Sequence, residues 1–206
     1  MSTDAPLRLL LADDQSLVRA GLAALLDLEP DMEVVAQTDS GADVVALVHE
    51  QAVDVALLDV EMPGVDGIGA AAALRASGAG CRVLIVTTFG RPGYLSRALE
   101  AGANGFVVKD VPAEQLADAV RRVARGERVV DPSLAAETLS LGGSPLTERE
   151  RDVLRAALEG APVRQIAAAL HLSPGTVRNH LSSAIGKTHT STRAEAAAVA
   201  RDRGWL

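Results

Sequence analysis

Four apolar residues, Val55-Ala56-Leu57-Leu58, run directly into Asp59, and Met62-Pro63-Gly64 follows at once. An unbroken apolar run closed by turn residues predicts a strand buried on both faces, the kind found in parallel sheets. Asp59 then stands at the C-terminal end of that strand, the edge of an open α/β sheet where ligands bind. A single aspartate also suits the start of a turn. What decides between the two is whether other polar residues reach the same edge.

Runs of the same kind recur along the chain. Residues 7–12 end in Asp13-Asp14, 33–38 are strand-like, 82–87 end in Thr87-Thr88, and 105–108 end at Lys109. Helical spacing fills the intervals at 16–28, 41–50, 67–76, 92–101 and 112–125, with Gly102 and Gly126 as stops. In the first helix Leu17, Val18, Gly21, Leu22, Leu25 and Leu26 are expected on one side, with Ser16 as N-cap. Five strands alternating with five helices predict an α/β fold, a flavodoxin-like five-stranded parallel doubly wound sheet with right-handed crossovers. Residues 126–145 read as a linker, with a short helix opened by Asp131-Pro132 and then Gly142-Gly143-Ser144-Pro145. Only helical periodicity follows, so a small all-α domain of four helices is expected. The predicted division is 1–125, a linker at 126–145, and 146–206.

Composition limits what such a chain does. Of 206 residues 48% are hydrophobic but only 2% aromatic, so the cores must be built from Leu, Val, Ile and Ala. No apolar run approaches the roughly 18 residues that a membrane span needs. The start, Met1-Ser2-Thr3-Asp4-Ala5-Pro6, lacks the basic and hydrophobic regions of an export signal. Cys81 is the only cysteine, which excludes an internal disulfide and suits a small buried hydrophobe at a strand start. These features predict a cytoplasmic protein without membrane insertion. Charge is divided unevenly: residues 1–145 hold 11 Lys/Arg against 21 Asp/Glu, and 146–206 hold 9 against 6. An acidic body repels a polyanion, so any nucleic-acid contact is assigned to the C-terminal part.

With the first and third strands as neighbours, Asp13, Asp14 and Asp59 crowd one edge, near Thr87 and Lys109. Three such carboxylates repel one another unless a cation holds them, and hard oxygen ligands in little space suit octahedral Mg2+. A carboxylate beside Mg2+, a lysine and a hydroxyl is equipped to accept a phosphoryl group. Each residue has a plainer reading alone: Asp13-Asp14 could cap a helix, and Lys109 could be a solvated strand end. All of them at matching strand ends argue for a site.

These residues, with Met62-Pro63-Gly64 and Gly105-Phe106-Val107-Val108-Lys109, resemble the receiver domain of bacterial two-component response regulators across about residues 7–125. The resemblance implies Asp59 as phosphoacceptor and a Mg2+ site made by Asp13, Asp14, Asp59 and the Glu61 backbone carbonyl. It also implies Thr87 as switch hydroxyl, Lys109 as phosphate-pairing lysine, and Phe106 as the aromatic that follows Thr87. Phe106 stands where the family often has Tyr. The stretch Thr87-Thr88-Phe89-Gly90-Arg91-Pro92-Gly93-Tyr94 is similar to the DesR-like subgroup, which implies a dimer face on the first and fifth helices, around Leu17 to Leu26 and Leu116 to Val123.

Beyond the linker, Thr147 and Glu150 make a capping box for a helix whose buried stripe is Val153, Leu154, Ala157 and Leu158. A second short helix follows at 163–170. Ser173 then caps a third, with Pro174 in its first turn. Two short helices joined tightly form a helix-turn-helix pattern. Ile166-Ala167, Leu172-Ser173 and Thr176-Val177-Arg178-Asn179-His180-Leu181 resemble the LuxR-type domain of NarL/FixJ response regulators, as do Lys187 and Arg193-Ala194-Glu195-Ala196. The resemblance implies that the third helix enters the major groove. Arg178, Asn179 and Ser182 then face bases, while Thr176, His180 and Lys187 touch the backbone or hold the helix. Arg suits guanine and Asn suits adenine. Three departures bear on docking: Gly186 interrupts the third helix, Thr188-His189-Thr190 replaces a turn that usually turns an apolar residue inward, and Val163-Arg164-Gln165 lacks a common Asn-Lys pair. The last helix, 191–203, is the family's dimerisation element, with Ala194, Ala197, Ala198 and Ala200 offered for packing.

The resemblances together imply a regulator phosphorylated on Asp59 by a sensor histidine kinase. It then forms a homodimer and binds double-stranded promoter DNA, with RNA polymerase as a further partner. They imply no turnover beyond slow loss of its own phosphoryl group. Competing readings are an output independent of phosphorylation, a Mg2+-dependent aspartyl-phosphate hydrolase, and a small-molecule sensor. Glu61 in place of an aspartate two residues after Asp59 argues against the hydrolase, and the scarcity of aromatics argues against a ligand pocket.

Overall fold

The computed structural model describes residues 5–88, 92–131, 134–136, 144–158 and 160–206. The chain divides into two compact units, with the main division after Ala136. In the first unit the strands are β1 (Leu7–Ala12), β2 (Met32–Thr38), β3 (Val55–Leu58), β4 (Arg82–Thr87), β5 (Gly105–Val108) and β6 (Val129–Val130). They form one sheet in the order β2-β1-β3-β4-β5-β6, parallel throughout. The helices are α1 (Ser16–Leu26), α2 (Val44–Glu50), α3 (Gly67–Ser77), α4 (Pro92–Ala101) and α5 (Ala113–Ala124).

Successive side chains of a strand point to opposite faces, and two cores result. Leu10, Ala12, Ala56 and Leu58 join Val48, Ile68, Leu74 and Leu95 of α2, α3 and α4. Leu9, Leu11, Val55 and Leu57 join Leu26, Leu116, Val120 and Val123 of α1 and α5. Both faces are therefore covered, which is why the strand sequences show no alternation.

The sheet has six strands where five were expected. The added strand, β6, lies in the segment read as linker and pairs Gly105 with Val129 and Phe106 with Val130. Two residues are too few to show a periodicity. Only the neighbouring backbone makes them a strand, through the Val129 N–H that donates to the Asn104 carbonyl at 3.1 Å. Gly105 leaves room for this approach, since a Cβ there would stand 3.0 Å from the Val129 carbonyl oxygen. After β6, residues 134–136 are helical and Leu134 enters the same apolar cluster as Phe106. Pro132 and Gly142-Gly143, and with them most of the expected linker helix, lie outside the described residues.

Three expectations for α1 and α5 are corrected. Ala23 and Leu26 are the buried residues of α1, whereas Leu17 is 86% and Leu25 44% exposed. The N-cap is Gln15, not Ser16, and the Asp13 carboxylate accepts the Gln15 N–H at 2.9 Å. On α5, Leu116, Val120 and Val123 are turned into the core and cannot form a dimer face.

The second unit holds α6 (Glu148–Leu158), α7 (Val163–Ala169), α8 (Pro174–Thr188) and α9 (Arg193–Asp202). They enclose Val153, Leu154, Ile166, Val177, Leu181, Ala196 and Trp205. Leu158, expected inward, is 40% exposed. Gly186 does not interrupt α8, which runs through it to Thr188. The polar turn also closes normally: Thr188 is buried and its hydroxyl donates to the Ala184 carbonyl at 2.8 Å. His189 then ends the helix in the left-handed conformation, and a capping box between Thr192 and Glu195 starts α9. Ala197 and Ala200, expected at a dimer contact, are fully buried inside this unit. Their small size serves close helix packing. Among the described residues no helix is long and apolar enough to cross a membrane.

Candidate functional site

Neighbouring strands bring the acidic residues together. Asp59 follows β3, and its N–H donates to the Ala12 carbonyl at the end of β1 at 2.8 Å. Carboxylate oxygens of Asp13, Asp14 and Asp59 lie within 4.8 Å of one another. Asp13 and Asp59 are each 3% exposed, while Asp14 faces solvent. Lys109 follows β5, held where its N–H donates to the Thr87 carbonyl at 2.7 Å. Its ammonium lies 2.7 Å from Asp13 Oδ2 and 3.0 Å from Asp59 Oδ2.

The Lys109 ammonium thus pairs with two of the three carboxylates. Burial pushes the Asp59 carboxyl above its ordinary range; Lys109 pulls it down and Asp13 raises it further. The other Asp59 oxygen, Oδ1, is buried without a hydrogen-bond partner. An unsatisfied buried carboxylate oxygen is costly, and here it lies among groups suited to a hard divalent cation. The donor set therefore fits Mg2+. Thr87, fully buried, ends the adjacent strand β4, and Phe106, also fully buried, lies on β5 opposite Ile85.

The loop after Asp59 is tied down at several points. Asp66 caps α3, accepting the Gly69 N–H at 2.6 Å, and lies 3.7 Å from Arg97 of α4. The Tyr94 hydroxyl donates to the Glu61 carboxylate at 3.3 Å. Gly67 is packed so closely that a Cβ would stand 2.0 Å from the Asp59 carbonyl oxygen. The sequence places Gly67 only as the start of a helix and gives no sign of these contacts. Phe89, Gly90 and Arg91 lie outside the described residues.

On α8, Arg178, Asn179 and Ser182 are exposed, whereas Thr176, His180 and Lys187 are half-buried. Thr176 belongs to the helix start, where its N–H donates to the Ser173 hydroxyl at 3.0 Å. Lys187 points to α6, where its ammonium is 2.7 Å from Glu150 Oε2. The Ser183 hydroxyl donates to Glu150 Oε1 at 2.6 Å, and the Thr147 N–H to Oε2 at 2.6 Å. Burial opposes ionisation of Glu150, yet Lys187, Ser183 and Thr147 outweigh it and hold the carboxyl at about 2. The sequence reveals Glu150 only as half of a capping box. The i,i+4 pair Ser183 and Lys187 was the legible hint of its second role.

Comparison with known proteins agrees with this arrangement. Residues 9–121 match the response regulator receiver domain, and residues 144–200 match the bacterial regulatory proteins of the luxR family. The chain is 41% identical over 196 residues to the transcriptional regulatory protein DesR of Bacillus subtilis, covering 95% of this chain and 97% of that one. It is 39% identical over 199 residues to the response regulator RamR of Streptomyces coelicolor, covering 96% and 97%. Among solved structures, the response regulator ChrA of a heme-sensing two-component system matches at 34% identity and a TM-score of 0.60, covering 98% of this chain and 100% of that one. A receiver sheet with its acidic edge, followed by a luxR-family helical unit, places this chain among the NarL/FixJ-type response regulators, DNA-binding proteins that regulate transcription, with DesR-like relatives.

Proposed function

We propose that Asp59 is the phosphoacceptor of this regulator and that its phosphorylation by a sensor histidine kinase drives dimerisation and promoter binding. The observation that carries the reading is the unpartnered, buried Oδ1 of Asp59 beside a lysine-neutralised oxygen of the same group. Asp59 Oδ1 attacks the phosphorus of a phosphohistidine; the new O–P bond forms as the P–N bond breaks, and the imidazole leaves. Mg2+, when held by Asp13, Asp14, Asp59 and the Glu61 main-chain carbonyl, supplies positive charge at the phosphoryl oxygens. Lys109 adds a second cation. The Thr87 hydroxyl then turns toward the phosphoryl group, and Phe106 follows in the same buried layer. Slow hydrolysis of the aspartyl phosphate resets the switch.

A dimer face on α1 fits its outward residues Leu17, Gly21 and Leu25, with exposed Leu28 just beyond the helix end, because an exposed apolar stripe on a monomer marks an association surface. Two tethered helix-turn-helix units then gain effective concentration on paired half-sites of double-stranded DNA in the cytoplasm. Arg178, Asn179 and Ser182 face the bases, Thr176 and His180 the phosphates, and RNA polymerase is the downstream partner.

The test compares wild type with Asp59→Ala after treatment with acetyl phosphate and Mg2+, measuring sedimentation and retention of DNA fragments. Wild type is expected to dimerise and bind; the variant is not. An equal response in both removes phospho-activation through Asp59. The double variant Leu17→Glu, Leu25→Glu is expected to accept phosphate and remain monomeric, with stability unchanged because both side chains face solvent. A normal dimer assigns association to another face.

A further inference from the structure

We infer that Lys187 and Ser183 are positioning residues, which clamp the rotation of α8 onto buried Glu150, and that Lys187 is not a phosphate contact. The inference rests on the reading that α8 enters the major groove. Residues 183 and 187 are one helical turn apart and so share a face. Both end on the same carboxylate, one on each oxygen, at 2.6 and 2.7 Å. Glu150 is 3% exposed and its position on α6 is fixed by the Thr147 N–H.

The need for a clamp is visible along α8. Its N-terminal half is seated by Val177 and Leu181, whereas its C-terminal half fully buries only Ala184 and Thr188, with Ile185 half-buried against the same core. Small side chains give little resistance to rotation, and Gly186 contributes no side chain at all. A turn of one residue position is about 100° on a helix, enough to carry Arg178, Asn179 and Ser182 away from a groove. Two polar contacts on one fixed carboxylate add restraint where the apolar stripe is thin. An ammonium held by a buried carboxylate has its charge matched inside the domain, and is not available to release a counterion from DNA.

Full-length Lys187→Met and Ser183→Ala, treated like wild type with acetyl phosphate and Mg2+, are compared with wild type on two probes: a duplex selected from a random pool by the treated wild-type protein, and a random-sequence duplex. Both variants are expected to lose affinity for the selected duplex, tenfold or more for Lys187→Met and about threefold for Ser183→Ala. Affinity for the random duplex is expected to stay within about twofold, with the salt dependence of binding unchanged. A lost phosphate contact instead weakens both duplexes alike and lowers the salt slope by about 0.9. That result overturns the inference, as does wild-type binding by both variants. Ser183→Ala removes no charge and keeps the test valid if Lys187→Met fails to fold. Failure of the wild-type protein to select any duplex counts against groove entry by α8, not against the clamp.

Discussion

Glu150→Ala is expected to lower the stability of the C-terminal unit by about 2–4 kcal/mol, because one carboxylate satisfies three donors, the Thr147 N–H just before α6 and two side chains of α8. The change removes the capping-box acceptor and leaves the Lys187 ammonium and Ser183 hydroxyl without their partner. Trp205 is the single tryptophan and lies in this unit's core, so its fluorescence follows this unit alone during urea unfolding. A midpoint within error of wild type would dismiss the node as incidental. The same carboxyl predicts a pH dependence. Its folded value of about 2 lies below the ordinary 4.5, so its contribution is fully present above about pH 5 and fades as pH falls through 4.5 toward 2. The linkage amounts to at most about 3 kcal/mol. Glu150→Gln should flatten the Trp205-monitored stability profile across that window and leave it parallel to wild type above it.

The second large effect is expected at Gly67→Ala, which sets a methyl 2.0 Å from the Asp59 carbonyl oxygen and 2.8 Å from its carbon. Neither atom belongs to a flexible side chain, so the strand end or the start of α3 must shift. Overpacking of this kind costs about 1–3 kcal/mol. The shift also moves Asp59 relative to Lys109 and Asp13, whose separations from it depend on that backbone. Phosphorylation by acetyl phosphate is expected to slow at least tenfold in protein that remains folded. Folded Gly67→Ala with a wild-type rate would show that the close approach serves packing alone. Gly78→Ala, in open space at the far end of α3, should strain only its own turn and leave the phosphorylation rate unchanged.

How much of this was legible in advance differs by element. Asp13, Asp14, Asp59, Thr87 and Lys109 each close an apolar run, and a parallel sheet brings such ends to one edge. Their convergence could therefore be read without coordinates. The inner side of α1 could not. Leu17, Leu22, Leu25 and Leu26 are alike in the sequence, and only the position of the sheet separates buried Leu26 from exposed Leu17. The pair Val129-Val130 becomes a strand only because β5 presents an open edge. Thr188 looked like a defect in the turn, yet an i−4 carbonyl satisfies its hydroxyl.

The sequence by itself determined the alternation of buried strands and helices, the acidic edge, the helix-turn-helix spacing and the division of charge. These follow from periodicities of two and 3.6 residues and from caps, which act within a few positions of the chain. Tertiary structure decided which Asp59 oxygen meets Lys109 and which is left open. It also decided which α1 residues face outward, and that Lys187 turns to Glu150, 37 residues away. Those outcomes depend on distances between elements remote in sequence, and a local pattern carries no information about them.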